Sequence, residues 1–156
     1  HTRLQGDWSS DVCSSDLLPK SSGGVFVQGG TIGNLSALVA ARFNARNQDS
    51  GVERWVIAHS GDAHSSIKSA ARVMDVDTLT IPSDKNHRLT GSAVASAVDE
   101  FHSKNPKKRI FAIVATAGTT NLGIIDDLEG IGRAANERSI WYHVDGAYGQ
   151  IGRAHV

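Results

Sequence analysis

From Gly24 onward, short apolar runs alternate with apolar positions at helical spacing. GVFV (Gly24–Val27) predicts a short strand that stops at Gly29-Gly30. In NLSALVAARFNARN, Leu35, Leu38, Val39 and Phe43 recur on one stripe of a helix. RWVIAH (Arg54–His59) is the next strand. AHSSIKSAARVM (Ala63–Met74) follows as a helix with Ile67, Ala70, Ala71 and Met74 facing inward. TLTI (Thr78–Ile81) is a strand closed by Pro82. Thr90 is placed to cap the helix GSAVASAVDEFHSKN, which Pro106 ends. IFAIVAT (Ile110–Thr116) is apolar on both faces, as a buried parallel strand must be. Asp126 or Asp127 stands where a cap is needed for LEGIGRAANER, and WYHVD (Trp141–Asp145) is the last strand.

This alternation predicts an α/β fold, with a mostly parallel sheet and helices on both faces. Ligands of such sheets bind beyond the carboxyl ends of the strands. The residues that follow each strand are therefore the ones to read for chemistry.

Composition narrows the field. The 156 residues carry 16 Lys+Arg against 16 Asp+Glu, which argues against a nucleic-acid partner. No apolar run approaches the roughly 20 residues of a membrane span. Cys13 is the only cysteine, so no internal disulfide forms and a reducing, cytoplasmic setting is expected.

Four constellations lie at strand ends. VQGGTIGN turns tightly on two glycines straight into a helix, whose free N–H groups and dipole favour an anion such as phosphate. Its spacing is neither G-x-G-x-x-G nor a P-loop, and a ligand-free turn is the alternative. HSGDAHSS puts His64 at the start of a helix, placed to stack on a planar ligand or move a proton, or simply to be solvated. Its His59, Asp62 and His64 do not follow metal-ligand spacing, and no metal is expected. ATAGTTNLGIIDD delivers Gly118, Thr119 and Thr120 to the ligand edge, with Asp126 as a further site candidate or a helix cap. WYHVDGAYG ends an apolar strand on Asp145, a carboxylate that needs a cationic partner when buried. A distant Arg or a protonated ring nitrogen on a ligand would serve. His143 shares the Asp145 face by strand alternation.

Phosphate, planar ring and ring nitrogen together describe pyridoxal 5′-phosphate. GGTIGNLSALVAAR, AHSSIKSA, ATAGTTNLGIID and WYHVDGAYG resemble, in order and spacing over residues 24–149, the motifs of the pyridoxal-phosphate-dependent group II amino-acid decarboxylases. That family includes aromatic-amino-acid, glutamate and diaminobutyrate decarboxylases. The resemblance implies part of the large domain of the fold type I, aspartate-aminotransferase-like architecture over residues 18–150. It implies Gly30 and Thr31 at the phosphate, His64 stacked on the ring, Thr120 and Ala147 beside the cofactor, and Asp145 on the pyridine nitrogen. It also implies an L-amino-acid substrate and a homodimeric parent enzyme. Ile32 stands where many members carry Glu, and Gly146 where Ala is commoner, so the substrate is not specified. Another fold type I reaction, or a non-catalytic α/β domain, is the alternative.

The stretch resembling N-x-H-K-W/L that carries the family's catalytic lysine is not in the sequence, so this chain alone is expected to lack decarboxylase activity. The two ends have their own pattern. One coding of IGRAHV plus a stop reads, on the opposite strand, as SDVCSSD, which is Ser10–Asp16. Residues 1–17 and 151–156 are therefore expected to be translated sequencing adapter with no fold of their own.

Overall fold

The computed structural model describes residues 24–25, 27–49 and 51–147. The expected adapter segments, residues 1–17 and 151–156, lie outside the described residues, as do Phe26 and Tyr148.

Among the described residues, four helices and four strands follow one another as α1 (Gly30–Gln48), β1 (Arg54–Ser60), α2 (Ser65–Val73), β2 (Asp77–Ile81), α3 (Gly91–Lys104), β3 (Lys108–Thr116), α4 (Leu128–Glu137) and β4 (Trp141–Asp145). The strands form one parallel sheet in the order β2-β1-β3-β4. Side-chain alternation splits its residues between two cores. Val56, Ala58, Ile113 and Ala115 pack with Val94 and Val98 of α3 and with Ile131 and Ala135 of α4. Ile57, Phe111, Ala112 and Val114 pack on the opposite face with Leu38 and Ala41 of α1 and with Ile67, Ala70 and Ala71 of α2. Helices on both faces explain why β3 is apolar from Ile110 to Ala115 and buried from Ile110 to Thr116.

Local chemistry sets the element starts. Thr90 accepts from the Ala93 amide to cap α3, and Asp127 accepts from the Gly130 amide to cap α4. Of the two candidates, Asp127 is thus the cap. Asp126 takes a different place: its two carboxylate oxygens accept from the Leu89 amide at 2.8 Å and the Thr116 amide at 2.7 Å. It ties the end of β3 to the segment that leads into α3. Burial pushes its pKa up, although both amide bonds pull the other way.

Two expectations are corrected. Gly24, Val25 and Val27 do not form a strand. A strand needs a hydrogen-bonded neighbour, and none of the described strands pairs with them; Val25 is 80% exposed. The Val27 carbonyl instead accepts from the Gly29 amide at 3.0 Å, turning the chain into α1. The buried stripe of α1 also differs. Asn34, Leu38 and Ala41 are buried, whereas Val39 and Phe43 face outward, Phe43 at 69% exposure. Small residues let α1 settle close to α2, where Arg42 donates to the Met74 carbonyl. Leu38 and Ala41 are the residues that pack with Ile67, Ala70 and Ala71, which leaves Phe43 on the outer side.

Candidate functional site

The carboxyl ends of β1, β3 and β4 lie side by side, as the pairings Thr116↔Asp145 and His59↔Val114 require. The N-terminus of α1 faces this edge. Between them lies a cavity of about 270 Å³ lined by Gly30, Thr31, Asn34, His64, Gly118, Thr120, Asp145 and Ala147. Every residue expected to contact the cofactor therefore lines one cavity. His143 does not. It lines an adjoining cavity of about 400 Å³ that shares Gly30, Asn34, Asp145 and Ala147. Asp126 lines neither, since both of its oxygens are taken by backbone amides.

α1 begins differently from the other helices. Gly29 holds the N-cap position at φ +84°, in the left-handed region that glycine tolerates, and no side chain among the described residues caps the helix. The N–H groups of its first turn are left for an external acceptor at the positive end of the dipole. Gly30 is tightly placed, because an added Cβ would lie 2.8 Å from Cβ of Ala147.

The two threonines after β3 divide their work. Thr119 is buried in the turn, its hydroxyl accepting from the Ile124 amide at 3.1 Å. Thr120 is exposed to the cavity. Gly118, at φ +100°, starts that turn.

Asp145 is 7% exposed at the end of β4. Its Oδ1 accepts from the Ala147 amide at 3.4 Å and its Oδ2 from Asn34 Nδ2 at 3.0 Å. No Lys or Arg among the described residues is within ion-pair distance of it. His64 caps α2, its Nδ1 accepting from the Ser66 amide at 3.2 Å. His143 Nε2 lies 2.8 Å from Asn34 Oδ1. Burial pushes the His143 pKa down, with Asp145 pulling the other way.

Asn34 was not among the residues singled out by sequence, yet it touches both Asp145 and His143. One signal could have found it. It is the polar member of an otherwise apolar i, i+4, i+7 stripe with Leu38 and Ala41, and a polar side chain on a buried stripe needs a reason.

The pyridoxal-dependent decarboxylase conserved domain matches residues 8–155 of the chain. The chain belongs to the pyridoxal-dependent decarboxylase family. It is 35% identical over 134 residues to an aromatic-L-amino-acid decarboxylase of Bacillus atrophaeus, covering 84% of this chain and 27% of that protein. It is 35% identical over 144 residues to an L-2,4-diaminobutyrate decarboxylase of Rhizobium meliloti strain 1021, covering 88% of this chain and 28% of that one. The glutamate decarboxylase domain of a diaminobutyrate-pyruvate transaminase and L-2,4-diaminobutyrate decarboxylase from Vibrio parahaemolyticus has the same fold. Its TM-score is 0.85 at 26% identity, over 95% of this chain and 35% of that one. The chain thus spans about a quarter to a third of the length of these relatives. The parallel α/β fragment is part of a fold type I domain, and the family's cofactor is pyridoxal phosphate.

The residues present fit that cofactor. The uncapped turn of α1 offers donors to a phosphate. The buried carboxylate without a cationic side chain suits a protonated ring nitrogen. Gly30 leaves room that any other side chain would fill.

Proposed function

We propose that this chain supplies the phosphate-binding and ring-binding half of the pyridoxal phosphate site of an L-amino-acid decarboxylase. The observation that carries the reading is the Asp145 carboxylate. It is buried, without a Lys or Arg partner among the described residues, and shares one cavity with the uncapped N-terminus of α1.

Each residue then has a task. Gly30 and Thr31 offer backbone N–H groups, and Thr31 a hydroxyl, to the phosphate dianion. His64 lies along the cavity wall as a flat surface for the pyridine ring. Thr120 and Ala147 close the sides. Asp145 accepts a hydrogen bond from the ring nitrogen and holds the proton there, in a setting where little water competes. When bound, the protonated ring supplies an electron sink for the pair left as the α-carboxyl group departs as carbon dioxide. His143 and Asp126 stand behind this set, one beside Asn34 and the other in the framework under β3.

The remaining assignments follow from composition and family. A small-molecule amino acid is the substrate of the parent enzyme, and a homodimer its assembly. The even charge balance supports neither a nucleic-acid nor a membrane partner. Among the described residues no helix is long and apolar enough to cross a membrane. A cytoplasmic location is consistent with a chain that offers no pair of cysteines for a disulfide.

The test is a titration of pyridoxal 5′-phosphate into the ¹⁵N-labelled chain, followed by amide and ³¹P resonances. Shifts confined to Gly30, Thr31, Thr120, Ala147 and their neighbours are expected. No ³¹P change at millimolar cofactor would refute the reading.

A further inference from the structure

We propose that Asn34 is a positioning residue for the cofactor: its side-chain amide orients the Asp145 carboxylate, sets which ring nitrogen carries the proton in His143 and, through the Ser66 hydroxyl, steadies the His64 ring. This rests on the pyridoxal phosphate site proposed above.

Asn34 is 5% exposed, one turn after Gly30 on the same face of α1. A buried amide is costly unless its donors and acceptor are used. All of them are. Nδ2 donates to Asp145 Oδ2 at 3.0 Å and to Ser66 Oγ at 2.9 Å, and Oδ1 lies 2.8 Å from His143 Nε2. One side chain thereby joins α1, α2 and β4.

The direction of each bond follows from the carboxylate. Ionised Asp145 can only accept, so the amide must turn Nδ2 toward it. The amide oxygen then faces His143, and Nε2 of that ring must carry the proton it donates. Burial of His143, which disfavours its doubly protonated form, is in keeping with a ring that holds a single N–H. The second Nδ2 hydrogen occupies a lone pair of the Ser66 hydroxyl. That hydroxyl lies 2.9 Å from His64 Nδ1, which also accepts from the Ser66 amide. Two donors on Nδ1 leave the His64 proton on Nε2. The ring offered to the cofactor thus has a fixed tautomer, set by the Ser66 backbone amide and reinforced by the Ser66 hydroxyl that Asn34 holds in place.

Long-range ¹H–¹⁵N imidazole spectra of the full chain read these tautomers without cofactor, and a pyridoxal 5′-phosphate titration reads affinity. The wild type is expected to show the Nε2–H form for both His143 and His64. Asn34→Leu keeps the branched shape of the side chain and removes every bond. It should lose the His143 pattern, perturb His64 and weaken cofactor binding by about tenfold to a hundredfold, the range for a hydrogen bond to a charged group. Ser66→Ala, the milder change, should move His64 and leave His143 in place. It carries the test if Asn34→Leu fails to fold. A wild-type His143 protonated on Nδ1 overturns the proposal. So does an Asn34→Leu chain with unchanged imidazole spectra and affinity, or a Ser66→Ala chain with an unmoved His64. A wild type that shows both Nε2–H signals yet binds no cofactor overturns the site reading instead.

Discussion

The Gly30 Cα and the Ala147 side chain approach so closely that a methyl group on Gly30 would lie 2.8 Å from Cβ of Ala147. The two residues meet in the cavity wall from different elements, the start of α1 and the turn after β4. Gly30→Ala must push those elements apart or close the space between them. Overpacking of this kind costs about 1–3 kcal/mol. Because Ala147 is exposed and outside both cores, we expect the wall to yield and global stability to change by less than about 1 kcal/mol. Cofactor affinity should instead fall by about tenfold or more. Urea unfolding and cofactor titration of the same variant separate the two, and an affinity equal to wild type would contradict this geometry.

Asp145→Asn removes the charge and keeps the shape. Asn34 Nδ2 can still donate to the amide oxygen that replaces the carboxylate, so the fold should survive with its amide spectrum largely intact. A protonated ring nitrogen would lose its ionic acceptor. Hydrogen bonds to charged groups are worth about 1.5–3 kcal/mol, so pyridoxal 5′-phosphate should bind about ten- to a hundredfold more weakly. Equal binding by this variant would remove Asp145 from the ring nitrogen.

The alternation of elements was legible because period 3.6 and short apolar runs are local signals. WYHVD maps onto β4 residue for residue, and Thr90 caps α3 as expected. GVFV misleads because apolar content cannot tell whether a neighbouring strand exists, and none of the described strands pairs with Gly24, Val25 or Val27. Phe43 misleads because the face a helix buries is chosen by its neighbours, here the packing of Leu38 and Ala41 against Ile67, Ala70 and Ala71 of α2. Of the candidate site residues, Gly30, Thr31, His64, Thr120 and Asp145 stand out in the sequence because each sits at an element end, whereas Ala147 is implied only by the family resemblance; the structure lines one cavity with all six. Asn34 and Ser66 could not be linked by such logic. The contacts of Asn34 with Asp145 and Ser66 span 111 and 32 residues of sequence, and only the folded chain brings them together.

Gly91 at the start of α3 lies against the backbone of Gly130 in α4, where an added Cβ would overlap the Gly130 carbonyl group. Backbone, unlike a side-chain tip, cannot rotate aside. The Gly91 amide also donates to Asp127 Oδ2 at 3.1 Å, so moving α3 loosens the cap of α4. Gly91→Ala should cost at least about 2–3 kcal/mol, from overpacking plus a weakened cap. Thermal unfolding should show this as a fall of several degrees, and an unchanged midpoint would mean that the helices do not cross so closely.

Stability should fall as the pH drops below about 6.5, the ordinary histidine value. Burial lowers the pKa of His59, His102 and His143 in the folded chain. Between each depressed value and 6.5 the unfolded chain binds more protons than the folded one, so stability rises with pH across that window and is fully present above it. Asp126 has the opposite sign. Its folded pKa is raised above 3.8, so the folded chain binds the proton more tightly and its charged form costs stability at higher pH. Asp126→Asn removes that opposing slope, although one backbone donor loses its acceptor at a cost of about 1–3 kcal/mol. Urea unfolding at pH 7.5, 6.5 and 5.5 should therefore show a decline toward pH 5.5 in the wild type. In Asp126→Asn the decline should start from lower stability and be at least as steep. A wild type and variant that are both flat across this range would mean that the three imidazoles are solvated in the folded chain.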